Sequence, residues 1–225
     1  MNLGDDGMVA AFFDVDGTLT RTNVVVPLAW FQRAHLSRWR YRLWLIGLLM
    51  RAPFYWLIDR FDRALFVRLF YRHYAGLPAE VLRRWHKNHF ATTLLPLLRQ
   101  DALACLQKHQ TQGHRIVLVT GNLDFVLAPL AEWLDADLLA ASLEERDGFF
   151  TGRLASSPMV GKAKAEATLR YAQAHGIVLR ESYAYGDSIS DAFLLAQVGH
   201  PVAVNPDAFL RRLAERKGWQ IVSWR

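Results

Sequence analysis

Cysteine is almost missing from this chain of 225 residues: Cys105 stands alone, so an internal disulfide is excluded and nothing calls for an oxidising compartment. Long polar or low-complexity tracts are missing too. With 52% hydrophobic and 21% charged residues, the whole chain is expected to fold. Nor is there an unbroken apolar run of the ~20 residues that cross a bilayer. The most apolar stretch, residues 43–58, is interrupted by Arg51 and Pro53. The first residues, Met1-Asn2-Leu3-Gly4-Asp5-Asp6, lack the basic head of a secretory leader, so no export is expected and the cytoplasm is the default location. The histidines show no metal-type pairing beyond His86 and His89. Acidic residues are scarce in one region only. Residues 21–90 hold 13 Lys+Arg against 3 Asp+Glu, a local balance of +10 that leaves −4 for the rest of the chain. Trp30, Trp39, Trp44, Trp56 and Trp85 fall in the same region, so the chain divides into two parts with different tasks.

What is there alternates. The apolar run Met8-Val9-Ala10-Ala11-Phe12-Phe13 stops at Asp14-Val15-Asp16-Gly17, as a buried parallel strand stops at a loop. Residues 26–90, rich in Trp, Leu, Arg and Phe, are predicted to form several helices with breaks at Pro53 and at Gly76-Leu77-Pro78. A helix is then expected from Pro96 to about His109, and a buried strand over residues 115–120. A helix over 125–134, a short strand over 137–141 and a hairpin-like excursion at 148–152 follow. After these come a helix over 162–175, a strand over 182–185, a helix over 192–198 and a last parallel strand over 202–204. Such alternation predicts an α/β fold: a Rossmann-like, mostly parallel sheet interrupted after its first strand by an all-helical cap. The expected division is a core of residues 1–25 and 91–225 and a cap of residues 26–90. In this architecture ligands bind beyond the C-terminal ends of the strands.

Three strand ends carry polar residues: Asp14 and Asp16, then Thr120-Gly121-Asn122, then Asp187 and Asp191. Carboxylates gathered without counter-charge repel one another, so such a cluster suits a hard divalent cation with oxygen ligands, and Mg2+ fits best. Bound there, the ion would also offset the charge of a phosphoryl group.

Asp14-Val15-Asp16-Gly17-Thr18-Leu19 resembles the first motif of the haloacid dehalogenase superfamily of phosphatases, and its other three motifs follow in order. The resemblance implies that Asp14 attacks phosphorus, forming an aspartyl-phosphate. Asp16 would protonate the leaving oxygen and later deprotonate the hydrolytic water. It assigns Thr120 to the phosphoryl group as a hydroxyl donor, helped by the backbone N–H groups of Gly121 and Asn122. The third motif is a lysine, and Lys162 and Lys164 compete for it. Relatives similar to phosphoserine phosphatase place that lysine 23 residues before the fourth motif, a spacing that selects Lys164 relative to Asp187. Gly186-Asp187-Ser188-Ile189-Ser190-Asp191 matches that motif. The implied metal ligands are Asp14, Asp16 through its carbonyl, and Asp187, with Asp191 in support or bound through water. The helical insertion resembles the cap of the phosphoserine-phosphatase-like branch. One departure bears on substrate: where that branch carries a glutamate nine residues after the nucleophile, this chain has Asn23, which argues against phosphoserine.

Competing readings are weaker. As an EF-hand loop the first motif fails, because Gly17 stands fourth rather than sixth and Val25 takes the place of the bidentate glutamate. Gly186-Asp187-Ser188 could suggest a serine esterase, but the segment is explained more simply by its aspartates. The basic, aromatic insertion reads first as a cap whose apolar faces pack together under arginine stems. The second reading is peripheral docking on an anionic membrane surface, and nucleic acid comes last for want of a recognised motif. The expected function is a Mg2+-dependent phosphatase acting on a small or lipid-borne phosphate monoester. A phosphate- or anionic-lipid-binding protein with incidental turnover, and a phosphotransferase or phosphomutase, are the alternatives.

Overall fold

A computed structural model describes residues 7–225; the stretch from Met1 to Asp6, read above as unlike a secretory leader, lies outside them. Strand β1 (Ala10–Phe13) is the centre of a six-stranded parallel sheet. On one side of it lie β2 (Arg115–Leu123) and then β3 (Asp137–Ala141). On the other lie β6 (Tyr183–Gly186), β7 (His200–Val204) and β8 (Gln220–Val222). Every pair within the sheet is parallel. The chain leaves β1 toward β2 and returns at β6, so the crevice beyond the carboxyl ends of these strands is where the strand order reverses.

Both faces of the sheet are buried, which explains the unbroken apolar runs. Along β1, Ala11 and Phe13 enter one core while Ala10 and Phe12 enter the other; along β2, Ile116 and Leu118 alternate with Val117 and Val119 in the same way. Phe12 and Phe13 are fully buried, each side chain supplying ~2–3 kcal/mol of hydrophobic stabilisation. Helix α5 (Gln100–Thr111) precedes β2 and α6 (Asp124–Leu134) follows it. Helices α7 (Lys162–Ala174), α8 (Ala192–Leu195) and α9 (Ala208–Lys217) complete the layers.

Between β1 and β2 the chain forms α1 (Val26–His35), α2 (Arg38–Phe61), α3 (Arg63–Tyr71) and α4 (Ala79–Thr93). Pro27 opens α1, where a missing N–H costs nothing. Asp62 caps α3 by accepting from the Leu65 N–H at 2.9 Å. The break at Gly76-Leu77-Pro78 is present just before α4, but the break expected at Pro53 is not: α2 runs through it. Pro53 lies on the exposed side of the helix, so the Leu49 carbonyl it leaves unpaired within the helix can turn to water.

The excursion near residue 148 is an antiparallel pair, β4 (Leu143–Arg146) and β5 (Phe149–Leu154). Asp147 and Gly148 both take positive φ, as a two-residue hairpin turn of matching twist demands. This hairpin braces the helical insertion. Gly76 donates to the Phe150 carbonyl at 2.8 Å, Phe150 to the Leu77 carbonyl at 3.0 Å and Ala79 to the Gly148 carbonyl at 2.9 Å. Two further expectations are corrected. The helix expected over 192–198 spans only Ala192–Leu195, and the strand at 200–204 is not the last, since α9 and β8 follow. Val222 pairs with Val204 and closes that edge.

Two buried histidines add to the acid sensitivity of this fold. Burial pushes His86 in α4 down to about 3, and burial with the neighbouring His114 and Lys108 pushes His109 in α5 down to about 4. His86 Nε2 has no hydrogen-bond partner among the described residues, whereas His109 Nε2 meets the Tyr185 hydroxyl at 2.7 Å. Below the ordinary histidine value the unfolded chain takes up protons that the folded chain refuses. Their contribution is therefore complete above pH ~6.5 and is lost as pH falls toward ~4, on the order of 2 kcal/mol per histidine. Urea titrations between these limits should show that loss, and His86→Leu should remove about half of it. An unchanged slope in the variant would mean that His86 is protonated in the fold.

Candidate active site

The carboxyl ends of β1, β2 and β6 deliver the polar residues to one place. Asp14 follows Phe13 directly and donates its N–H to the Tyr185 carbonyl of β6 at 2.9 Å. The next residues double back: Gly17 donates to the Thr20 carbonyl and Thr20 to the Val15 carbonyl, each at 3.0 Å. Gly17 takes φ +88°, and a Cβ there would sit 2.1 Å from Asp187 Oδ2. Only glycine lets the first loop approach the aspartate of the fourth motif.

Lys164, in the first turn of α7, reaches into this cluster. Its Nζ donates to Asp14 Oδ1 at 2.6 Å and to Asp191 Oδ1 at 2.7 Å, and all three side chains are buried. Lys162, its competitor, is exposed and stands over the Phe193 ring. The Ser188 N–H and hydroxyl hold the other Asp191 oxygen at 3.2 and 3.0 Å. Asp14 Oδ2, by contrast, is buried with no hydrogen-bond partner among the described residues. Carboxylate oxygens of Asp14, Asp187 and Asp191 lie within 4.8 Å of one another. One ammonium facing three carboxylates, with a buried oxygen left over, is a donor set that fits a hard divalent cation.

Electrostatics separates the four aspartates. Burial, opposed by Lys164, raises Asp14 to about 6, and burial with the charges of Asp14 and Asp191 raises Asp187 to about 8. Asp191 is buried too, yet Lys164 outweighs that cost and holds it below the ordinary carboxylate value. Burial and the charge of Asp14 raise Asp16 to about 7. Both oxygens of Asp16 accept from Asn122 Nδ2, at 3.2 and 3.1 Å.

Thr120, Gly121 and Asn122 belong to the end of β2 rather than to a loop beyond it. The register against β3 shifts between Val119 and Leu123, which turns this segment toward the cluster. Thr120 Oγ1 accepts the Asn122 N–H at 3.0 Å, and the Tyr71 hydroxyl of α3 donates to the Gly121 carbonyl at 2.7 Å.

A cavity of about 20 Å³ lies over the aspartates, lined among others by Asp14, Asp16, Arg63, Val67, Lys164 and Asp187. That volume admits roughly one water molecule. Arg63, at the start of α3, places a guanidinium on its wall while bonding Asp59 at 3.3 Å. No sequence motif marked Arg63 or Val67. They sit on the inserted helices, and only the packing of α3 against α2 and β5, with the Tyr71 hydroxyl on the Gly121 carbonyl, brings them here. Asn23 lies outside the cavity: it is exposed, and its Oδ1 accepts the Val25 N–H at 2.9 Å ahead of α1.

A family model described as haloacid dehalogenase-like hydrolase matches residues 11–196 of this sequence. The chain belongs to that family. A putative hydrolase of Mycobacterium leprae is 32% identical over 225 residues, covering 98% of this chain and 74% of that protein. A phosphoserine phosphatase of Mycobacterium tuberculosis is 38% identical over 120 residues, covering 53% of this chain and 39% of its own length. The chain spans about half the length, 45–47%, of several other curated relatives that it matches. Among solved structures, a protein of unknown function from Bordetella pertussis superposes with a TM-score of 0.79 at 28% identity, covering 96% of this chain and 98% of that one. A phosphoserine phosphatase carrying a phospho-aspartyl intermediate analogue matches with a TM-score of 0.69 at 19% identity, over 96% and 93% of the two chains. It shares the haloacid dehalogenase-like fold.

Proposed function

We propose that this chain is a Mg2+-dependent phosphatase that hydrolyses a phosphate monoester through an aspartyl-phosphate on Asp14. The observation that carries this reading is the Lys164 ammonium shared between Asp14 and Asp191, with the second Asp14 oxygen buried beside Asp187 and without a hydrogen-bond partner among the described residues. One oxygen of the nucleophile is thereby oriented, and the carboxylate is positioned without being protonated by its neighbour.

Asp14 would attack phosphorus as the ester bond breaks. Asp16, raised to about 7 and so able to carry a proton near neutrality, would give that proton to the leaving oxygen. The same carboxylate would then take a proton from water as the water oxygen attacks the phospho-aspartate, releasing phosphate and restoring Asp14. Asn122, bonded to both oxygens of Asp16, fixes its direction. The Thr120 hydroxyl, the Gly121 N–H and Lys164 would bind the phosphoryl oxygens, and the Asn122 N–H would join them on leaving Thr120 Oγ1, to which it donates at 3.0 Å. Asp14, Asp187 and the Asp16 carbonyl, supported by Asp191, would hold Mg2+, whose chemistry here is to neutralise phosphoryl charge.

In this reading residues 1–25 and 91–225 form the catalytic core and residues 26–90 the cap. The small cavity demands a second state, since a phosphate ester cannot enter until the wall carrying Arg63 and Val67 moves away. Arg63 then meets substrate anion as the wall returns. Phosphoserine is disfavoured, because exposed Asn23 offers no carboxylate to an ammonium group. The substrate class is a small or lipid-borne phosphate monoester, and peripheral contact with an anionic membrane would bring a lipid-borne one to the cap.

The test is phosphate release from phosphoserine, glycerol phosphates, nucleotides and lipid phosphates, with Mg2+ and with a chelator. Release that needs Mg2+ and favours one of the latter three classes is expected. Inertness across the panel would favour a binding protein, and transfer of labelled phosphate to an added alcohol in place of water would favour a phosphotransferase.

A further inference from the structure

Helix α2 is built inside out. Trp39, Leu43, Ile46, Met50, Phe54, Leu57 and Phe61 are all exposed, Met50 by 78% and Phe61 by 82%. At ~100° per residue these seven fall within an arc of roughly 80°, forming one apolar stripe about 33 Å long. The opposite side faces the protein: Leu48 is buried, and Trp44, Tyr55 and Ile58 pack against the main core. The stripe is therefore a second apolar face, left without a partner among the described residues.

Arginines run along both of its edges. Arg42 and Arg60 flank one side and Arg40 and Arg51 the other, each ~80–100° from the centre of the stripe. Among the described residues none of these four, nor Arg38, forms an ion pair. The two acidic residues nearby are already engaged: Asp59 pairs with Arg63 and Asp62 caps α3. At the start of the helix, Arg33, Arg38, Arg42, Leu36 and Tyr41 line a hollow of about 500 Å³. Three guanidiniums around one hollow describe a seat for an anionic group.

We propose that α2 is a docking face for an anionic bilayer surface, lying in the interface with its stripe among the acyl chains and its arginines on the headgroups. Apolar side chains bordered on both sides by cations match the boundary between hydrocarbon and anionic headgroups. Two copies of this chain meeting stripe to stripe would set arginine rows against arginine rows. A nucleic acid would satisfy the cations but leave the stripe in water. No helix among the described residues is long and apolar enough to cross a membrane, so the contact is peripheral. It shares with the phosphatase reading only the lipid-borne branch of the substrate class, and each can fail without the other.

The experiment is flotation of the full chain with vesicles of phosphatidylcholine alone or with ~30% phosphatidylglycerol, at low and physiological salt. Partition onto the anionic vesicles should exceed that onto neutral ones at least tenfold, since each arginine near the surface contributes a factor of about five. Leu43→Glu with Met50→Glu should abolish flotation. Arg40→Gln with Arg42→Gln should lower it ~10–25-fold and weaken its salt dependence. Both pairs are solvent-exposed, so the thermal midpoint and phosphate release from a soluble ester should stay at the parent values. Absence of flotation, equal partition onto neutral vesicles, or indifference to both variants would overturn the proposal. So would a dimer, split by Leu43→Glu with Met50→Glu, that never floats, or retention on RNA without flotation.

Discussion

Asp14→Asn will bring phosphate release down by at least about four orders of magnitude while leaving the protein folded. The amide keeps the shape of the carboxylate and can still accept from Lys164 at the position of Oδ1, but it cannot form an acyl phosphate. Stability should hardly suffer. In the parent the burial of Asp14 works against its charge, and Lys164 retains its second partner, Asp191, at 2.7 Å. The informative measurement is a pair: release of phosphate from the best substrate with saturating Mg2+, and the thermal midpoint of the same sample. Loss of activity at an unchanged midpoint is expected. Activity within tenfold of the parent would remove Asp14 from the role of nucleophile, and the chemistry would have to begin at another group.

Lys164→Met should do damage of a different kind, striking stability and rate together. Methionine fills much the same space, but it leaves Asp14 and Asp191, exposed by only 6% and 1%, without their shared cation. Removing one member of a buried ion pair costs ~3–5 kcal/mol, because the charge left behind is neither solvated nor compensated. For a chain of this size that lowers the thermal midpoint by ~10 °C. Phosphate release should fall by ~10²–10³ from loss of a charge aimed at the phosphoryl group. Excess Mg2+ should recover part of the stability and little of the rate, since a cation can compensate the carboxylates without supplying the ammonium hydrogen bonds. Lys162→Met serves as the control. Its side chain is exposed, so a large loss in that variant together with a mild one in Lys164→Met would reverse the choice between the two lysines.

The choice of lysine shows what kind of information linear spacing carries. Two lysines two positions apart near the start of a helix point about 160° away from each other, so only one can face the sheet. The spacing implied by the resemblance to phosphoserine phosphatase selected Lys164, whose ammonium lies between Asp14 and Asp191 in the fold while Lys162 is exposed. Residues at strand ends were legible for a similar reason. Apolar runs buried on both faces end at the carboxyl edge of the sheet, where this architecture places its ligands, and Asp14, Thr120 and Asp187 stand at that edge. Boundaries set by weaker local signals were less legible. Pro53 looked like a helix end and is not, because exposure relieves the cost of its missing hydrogen bond. The α9 and β8 pair went unread because β8 is only three residues long and half-buried.

By itself, then, the sequence determined the doubly covered parallel sheet, the four motifs and the residues that gather at its carboxyl edge, since periodicity and motif spacing are properties of the chain alone. Tertiary structure decided everything that depends on which face of an element meets which neighbour. The place of Arg63 over the aspartates, the clamp of Asn122 on Asp16 and the division of Asp191 between Lys164 and Ser188 are of that kind. So is the fate of the insertion's aromatic and basic residues. Composition says that they are abundant, but a 24-residue helix has several faces that can be apolar, and only packing buries one of them. The core took the side bearing Leu48, Trp44 and Tyr55, and the stripe from Trp39 to Phe61 was left facing solvent between two rows of arginine.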